Sequence, residues 1–311
     1  MKKNKLTENN FSGQILLDCI TPTMATIYRI KKVIYRKKTK YHKIEIVETY
    51  DRGICFVLNN QIQSSLNDEW IYHETLVHPI MITHPRPSKV LVIGGGEGGT
   101  IREVLKHNIV KKIKMVEISK DVVDVAKKYL KEIHQGSFYN SKVEVIFNDG
   151  RNYLIEESDK FDCIIIDATD PSPCGISAGL YTKEFYEIVK RKLEKNGIFV
   201  TQATSPFYNS HTFSSIYATV SNVFPIVRGY SFGAGFVAGS KKFDPLLLSK
   251  KEIKKRIKKR MITNLKFYNE NIHKLLFIIP EYSKINIKSS GKVMTDNEML
   301  SSKYSINKCR N

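Results

Sequence analysis

The stretch Val90-Leu-Val-Ile-Gly-Gly-Gly-Glu-Gly-Gly-Thr-Ile-Arg-Glu-Val-Leu105 constrains this chain more than any other. Its apolar, β-branched opening fits a strand covered on both faces. Gly94, Gly95 and Gly96 then let the backbone turn sharply and approach a ligand with no Cβ in the way. The residues through Leu105 read as a helix whose first N–H groups point over the turn. Strand, glycine turn and helix in this order serve dinucleotides, flavins and adenosyl sulfonium compounds alike. Glu97, a carboxylate inside the turn, narrows the choice. An acid there complements the helix dipole by roughly a few tenths of a kcal/mol. As a ligand contact it repels a pyrophosphate and attracts an ammonium.

From Lys89 onward the pattern alternates strand and helix, the signature of a doubly wound, Rossmann-like parallel sheet in an α/β fold. Strands are expected over 90–93, 113–118, 143–147, 163–166 and 197–202. A helix over 120–130 presents Val122, Val123, Ala126 and Leu130 on one face. The later strands finish in Glu117, in Asp149 followed by Gly150, in Asp167 with Asp170, and in Gln202. Any single acid at a strand end is explained by a turn or a helix cap. Consecutive strands ending this way define an acidic pocket where open α/β sheets bind their ligands. Glu117 stands about twenty residues past the glycine turn, the position from which such folds hydrogen-bond ribose hydroxyls. Asp149 suits the exocyclic amino group of adenine.

Residues 1–86 read as a small β domain with strands over 41–48 and 54–58 and a third begun by Gln61-Ile-Gln63. Asn59-Asn60 between the last two suits a tight hairpin turn. Such a meander equally suits oligomerisation. A helix over 68–78 turns Trp70, Ile71 and Leu76 inward, and His84-Pro-Arg-Pro-Ser88 is the expected boundary. A catalytic domain then covers 87–245 and a basic helical extension 246–311. Ser249-Lys-Lys-Glu252 opens a helix there with Ile253, Ile257 and Met261 on one stripe, and residues after about 283 are expected to be loosely ordered.

The formal net charge is +19, and residues 241–311 alone carry 18 Lys and Arg against 6 Asp and Glu. Lysine dominates without aromatic interleaving or a nucleic-acid motif, so a solvated surface is expected, not a nucleic acid partner. No apolar run spans a bilayer and the N-terminus lacks a signal-peptide core, which places the expectation in the cytoplasm with no membrane partner. Five cysteines (Cys19, Cys55, Cys163, Cys174 and Cys309) are scattered without metal-ligand spacing, which fits a reducing compartment and no metal.

An acidic pocket beside a nucleoside site suggests one of two adenosyl donors. S-adenosylmethionine carries a carboxylate that Glu97 opposes. Its decarboxylated form ends in a bare ammonium, for which Glu97 is a counter-charge. That favours transfer of the aminopropyl group over transfer of the methyl group. Polyamine nitrogens are protonated at neutral pH, with pKa values near the roughly 10.4 of lysine, and only a neutral amine attacks carbon. Such a reaction needs acids to hold the other ammonium groups and one base to take the proton; Asp167 and Asp170 supply carboxylates. The attack is a direct displacement beside the sulfonium and calls for no metal or covalent intermediate.

These residues carry a resemblance. Gln61-Ile-Gln63, Asp68-Glu-Trp-Ile-Tyr-His-Glu74, Gly94-Gly-Gly-Glu-Gly-Gly99 with Arg102-Glu-Val-Leu-Lys-His107, Val116-Glu-Ile118, Asp149-Gly150, Asp167-Ala-Thr-Asp-Pro171 and Thr295-Asp296 follow one another as in the polyamine aminopropyltransferases. The chain thus resembles spermidine synthase and its relatives over nearly its whole length. The resemblance implies a β N-terminal domain on a Rossmann-like catalytic domain, assembled as a homodimer or homotetramer. It implies decarboxylated S-adenosylmethionine as co-substrate with no further cofactor, and 5'-methylthioadenosine as by-product. Donor contacts fall by resemblance on His42, Gln63, Gly94, Gly95, Gly96, Glu117, Asp149 and Gly150. Asp167 falls on the proton acceptor, and Tyr72, His73, Glu97 and Asp170 on the acceptor side, with Glu97 gripping the aminopropyl end.

Four departures bear on substrate choice. Spermidine synthases mostly have Asp in the glycine turn, whereas Glu97, His134-Gln-Gly-Ser-Phe138 and Leu180-Tyr-Thr-Lys-Glu-Phe185 are similar to the thermospermine synthase and triamine or agmatine aminopropyltransferase branch. Ser172-Pro-Cys-Gly175 departs from the family's gate, His42 stands where many members have Gln, and the 229–235 hairpin is shorter. Two alternatives remain open: a methyltransferase on the same fold, and a catalytically weak relative serving as a binding or regulatory subunit.

Overall fold

A computed structural model describes residues 13–21, 24–171, 175–281 and 291–299. The chain divides into two compact units, Met1–Glu69 and Trp70–Asn311. Expectations that rest on Ser172, Pro173, Cys174 or Cys309 lie outside the described residues.

The first unit is an antiparallel five-stranded sheet in chain order: β1 Ile15–Thr21, β2 Met24–Lys38, β3 Lys43–Thr49, β4 Gly53–Leu58 and β5 Gln61–Ser65. Leu58 pairs with Gln61, leaving Asn59 and Asn60 as the turn at φ 51° and 65°. That is the left-handed pair a two-residue hairpin needs if its twist is to match the strands. Leu16, Val47, Cys55 and Val57 form the buried core, with Tyr28, Ile30, Val33 and Ile62 packed on it. The first two strands have no counterpart in the sequence reading. Every side chain of β2 is exposed or only half-buried, and its lysines and arginines blur the period-two alternation.

The second unit begins with α1 (Glu69–Thr83), then β6 (Lys89–Gly94), α2 (Gly99–Leu105), β7 (Lys112–Glu117), α3 (Lys120–Tyr129) and α4 (Lys131–His134). It continues with β8 (Val143–Phe147), α5 (Gly150–Glu156), β9 (Phe161–Asp167), α6 (Lys183–Lys192), β10 (Leu193–Gln202) and α7 (Ser210–Ser221). The hairpin β11 (Ile226–Phe232) and β12 (Ala234–Ser240) follows, then α8 (Lys250–Lys259) and α9 (Glu270–Leu276). The seven strands lie in the order β11-β12-β10-β9-β6-β7-β8. Those from β10 to β8 are parallel, while β12 runs antiparallel to both its neighbours. The doubly wound sheet expected from the sequence is therefore present, extended at one edge by a hairpin. Chain order reverses between β6 and β9, and the crevice above such a switch point is where these sheets bind ligands. Leu91, Ile93, Val116, Ile164, Ile166 and Phe199 belong to the core beneath it.

The division falls after Glu69, the first residue of α1, and not after residue 86. Polar contacts explain why: the Tyr230 hydroxyl reaches Leu76 O, His78 pairs with Glu103, and Glu74 accepts three backbone N–H groups from 266–268. The proline-rich stretch 84–88 thus joins two elements of one unit.

The extension departs from expectation twice. Ser249 caps α8 as expected, and Ile253 is buried, but the helix stops at Lys259 and Met261 turns to φ 55° with 71% of its surface exposed. The inward residue there is Arg260. Residues 291–299 are packed, not loose: Met294 is buried, its N–H donates to Thr219 Oγ1 at 2.9 Å, and its carbonyl accepts from Lys183. Two donations from Arg151 to the Asp296 carboxylate hold the same segment.

Candidate active site

The glycine turn sits directly on the end of β9. Gly95 N–H donates to Asp167 O at 2.9 Å, and Gly94 and Gly95 adopt φ 82° and 69°. A Cβ on Gly94 would overlap the Asp167 carbonyl oxygen, and one on Gly96 would strike Val122 and approach Glu117 Oε2 to 3.0 Å. Close seating of the turn against two acids is therefore a reason for these glycines, besides ligand approach.

Asp167 is held from two helices. Tyr72, on α1, donates to Oδ1 at 2.7 Å, and Thr100, in the first turn of α2, donates to Oδ2 at 2.5 Å. Glu97 is 8% exposed, with Oε1 3.4 Å from His73 Nε2. Burial, then the charge of Glu97, push the Asp167 carboxyl above the usual range, while His73 and the two hydroxyls act the other way. Glu117 accepts the Ser119 N–H at 2.9 Å. Burial, reinforced by Glu97 and Asp167 against that hydrogen bond, lifts its pKa to about 7. Three carboxylates thus repel one another at the switch point.

A second group lies just past β9. The Gln202 amide donates to Asp170, and the Tyr181 hydroxyl is 3.3 Å from Gln202 Oε1 and 3.1 Å from Thr169 O. Burial raises the Asp170 pKa, opposed by the Gln202 amide. Asp149 is the N-cap of α5, its Oδ1 accepting from Arg151 and Asn152 N–H at 2.9 Å each. The ordinary role of a strand-end acid is thus filled at one oxygen of Asp149. Gly150 opens that helix against Ile93, which a Cβ would strike.

His42 and Gln63 belong to the N-terminal unit. His42 precedes β3 with Nδ1 3.4 Å from Asn59 Nδ2, and Gln63 on β5 donates to Gln61 O at 3.1 Å. Sequence reasoning placed Gln202 at the pocket as a strand end without giving it a role, and it did not assign Thr100 or Tyr181 to the site. Thr100 was recoverable, since it is the hydroxyl that closes the glycine run at a helix start. Tyr181 was not, because nothing local separates it from the aromatic core residues around it.

The fold and this crevice define a transferase of the adenosyl-donor type with acids facing a cationic co-substrate. Residues 69–233 match the spermine/spermidine synthase domain and residues 17–65 the spermidine synthase tetramerisation domain. A polyamine aminopropyltransferase of Sulfurisphaera tokodaii is 44% identical over 86% of this chain and 91% of its own length. One from Pyrobaculum aerophilum is 43% identical, over 87% and 96%. A crystal structure of spermidine synthase in complex with the transition-state analogue AdoDATO superposes with a TM-score of 0.83 at 34% identity, covering 89% of this chain and 96% of that one. The chain belongs to the spermine/spermidine synthase family of aminopropyltransferases.

Proposed function

We propose that this enzyme moves the aminopropyl group of decarboxylated S-adenosylmethionine onto a polyamine amine, with Asp167 as the proton acceptor. The observation that carries the reading is the mutual repulsion of Glu97, Glu117 and Asp167 in the crevice, which a polycationic pair of substrates relieves. Glu117 accepts the ribose hydroxyls, and Asp149 through its uncapped oxygen takes the adenine amino group, with Gly94 to Gly96 and Gly150 beneath the nucleoside. Glu97 faces the donor's ammonium, and Tyr72, His73 and Asp170 line the acceptor side. The attacking nitrogen's lone pair forms a bond to the methylene beside sulfur, and the C–S electrons pass to the sulfonium, leaving neutral 5'-methylthioadenosine. Before the attack the ammonium form of that nitrogen gives one proton to Asp167, whose raised pKa makes it a better base than an ordinary aspartate, and the product keeps its charge as a secondary ammonium.

The reading includes a homodimer or homotetramer, supported by the match of residues 17–65 to a tetramerisation domain, and a cytoplasmic enzyme, supported by its scattered cysteines. Decarboxylated S-adenosylmethionine is a co-substrate, and no step calls for a further cofactor. The test is methylthioadenosine release from that donor with putrescine, agmatine, spermidine and other triamines in turn. Release with at least one amine is expected. Turnover of intact S-adenosylmethionine alone would overturn the reading in favour of methyl transfer.

A further inference from the structure

The helix that carries Tyr72 and His73 is fastened along its whole length by the C-terminal segment. Glu74, fully buried, accepts the N–H groups of Lys266, Phe267 and Tyr268 at 2.8, 2.9 and 2.7 Å. At the other end the last carbonyls of a helix have no partner within it. Arg256 donates to Ile82 O and Thr83 O at 2.8 and 2.7 Å, and Arg260 donates to Met81 O, to His84 O at 2.7 Å and to Pro85 O at 3.1 Å. Lysines of α8 face solvent, while Arg256 within it and Arg260 just past its end turn inward, where a planar fork satisfies several carbonyls at once.

Between these ends a buried polar chain ties α1 to α2. Arg260 Nη1 lies 3.4 Å from His107 Nδ1, His107 Nε2 lies 3.0 Å from His78 Nδ1, and His78 Nε2 lies 3.0 Å from Glu103 Oε2. A guanidinium only donates and a carboxylate only accepts, so the chain is satisfied when each imidazole accepts once and donates once towards Glu103. Burial would raise the Glu103 carboxyl, but His78, Arg102 and Lys106 hold it well below the usual range. Burial lowers Arg260 only to about 10, so it stays cationic at neutral pH.

We propose that Arg260 and the His107–His78–Glu103 chain are positioning groups: they set α1 against α2 so that Tyr72 and Thr100 meet the two oxygens of Asp167. The proposal rests on Asp167 being the proton acceptor. Its geometry is specific, because the clamp joins the two helices that supply those two donors. A shift of about 1 Å in one helix breaks such a hydrogen bond and misplaces the base. If stability alone were at stake, an apolar replacement of the buried charges would serve as well. The groups facing Asp167 are Tyr72 and His73 from α1, Glu97 and Thr100 from the turn and α2, Glu117 from β7, and Tyr181 beyond β9. Loosening the clamp withdraws Tyr72, a donor that favours the charged form, so the acidic limb of the kcat profile moves to higher pH.

The experiment compares full-length Arg260→Met, Tyr72→Phe and the double variant by kcat against pH and by thermal midpoint. Arg260→Met should lower kcat about tenfold and move the acidic limb up by about one pH unit. Tyr72→Phe should do the same, and the double variant should add no further shift. An unmoved limb with only a lowered thermal midpoint, or effects that simply add, overturns the proposal. Where Arg260→Met does not fold, Arg260→Lys and Arg256→Gln carry the same comparison: a smaller shift of that limb is expected, and an unmoved limb in both overturns the proposal. Asp167→Asn separates the two readings. Retained turnover in that variant removes the proton-acceptor role itself, whereas loss of turnover beside unmoved Arg260 variants removes only the positioning.

Discussion

The Tyr72 hydroxyl donates to Asp167 Oδ1 at 2.7 Å while the other oxygen of that carboxylate receives Thr100 at 2.5 Å. Both bonds stabilise the charged form against burial and against Glu97. A hydrogen bond to a charged group contributes about 1.5–3 kcal/mol, and one pKa unit corresponds to about 1.4 kcal/mol. Thr100→Val, which keeps the shape and removes only the hydroxyl, should therefore raise the Asp167 pKa by about one to two units. The check is the acidic limb of kcat against pH with saturating substrates. A limb that stays in place excludes Asp167 as the group titrating in the complex.

Glu117 gives a prediction of opposite experimental sense. Its folded pKa of about 7 lies above the ordinary glutamate value, so the unfolded chain releases this proton first as pH rises. The stabilisation from protonated Glu117 is fully present below the unfolded value and is lost as pH rises through about 7. A bound ribose needs the charged, accepting form, so donor affinity should instead increase through that window and binding should release a proton. Calorimetry at pH 6 in buffers of different ionisation heat measures the release. Glu117→Gln should abolish both the release and the rise in affinity.

The elements legible in the sequence were those whose cause is local. Asn59-Asn60 announced a turn because the two residues tolerate positive φ, and the acids at the ends of β7 and β9 follow from counting along strands. The membership of α1 was not legible, because Glu74 is satisfied by backbone 192 and more residues downstream. Met261 was placed on a helical stripe by extrapolating a period two residues beyond where the helix ends; Arg260 took the inward position because the carbonyls at and just past the end of α1 needed donors. Likewise the site's acids and Gln202 could be named from the strand ends, while Tyr181 became visible only once the strands carrying its partners were side by side.

Glu97 bears on which donor is accepted. Its carboxylate is buried beside His73 Nε2 at 3.4 Å, so an anionic ligand group placed there meets a charge poorly screened by water. Glu97→Gln removes the repulsion without changing the shape. Relative to wild type, the ratio of the S-adenosylmethionine dissociation constant to that of the decarboxylated donor should fall about tenfold or more. Competition binding with both donors measures it. An unchanged ratio would place Glu97 away from the aminopropyl end.

Two glycines separate the cost of backbone conformation from the cost of space. Gly94 and Gly136 have nearly the same φ, 82° and 81°, so an alanine at either pays the same left-handed penalty of about 1–2 kcal/mol. A Cβ on Gly136 meets nothing within 4 Å, whereas one on Gly94 runs into the Asp167 backbone. That backbone cannot move without breaking the Gly95 N–H bond to Asp167 O and the register of β6 with β9. Gly136→Ala should therefore lose about 1–2 kcal/mol of stability and keep its activity. Gly94→Ala should lose more, by at least about 2 kcal/mol, and should lower kcat, because the displaced atom belongs to the residue proposed to take the proton. Denaturant unfolding and turnover on the two variants check both halves. Equal losses in the two would mean that the turn, not its seating on β9, sets the need for glycine.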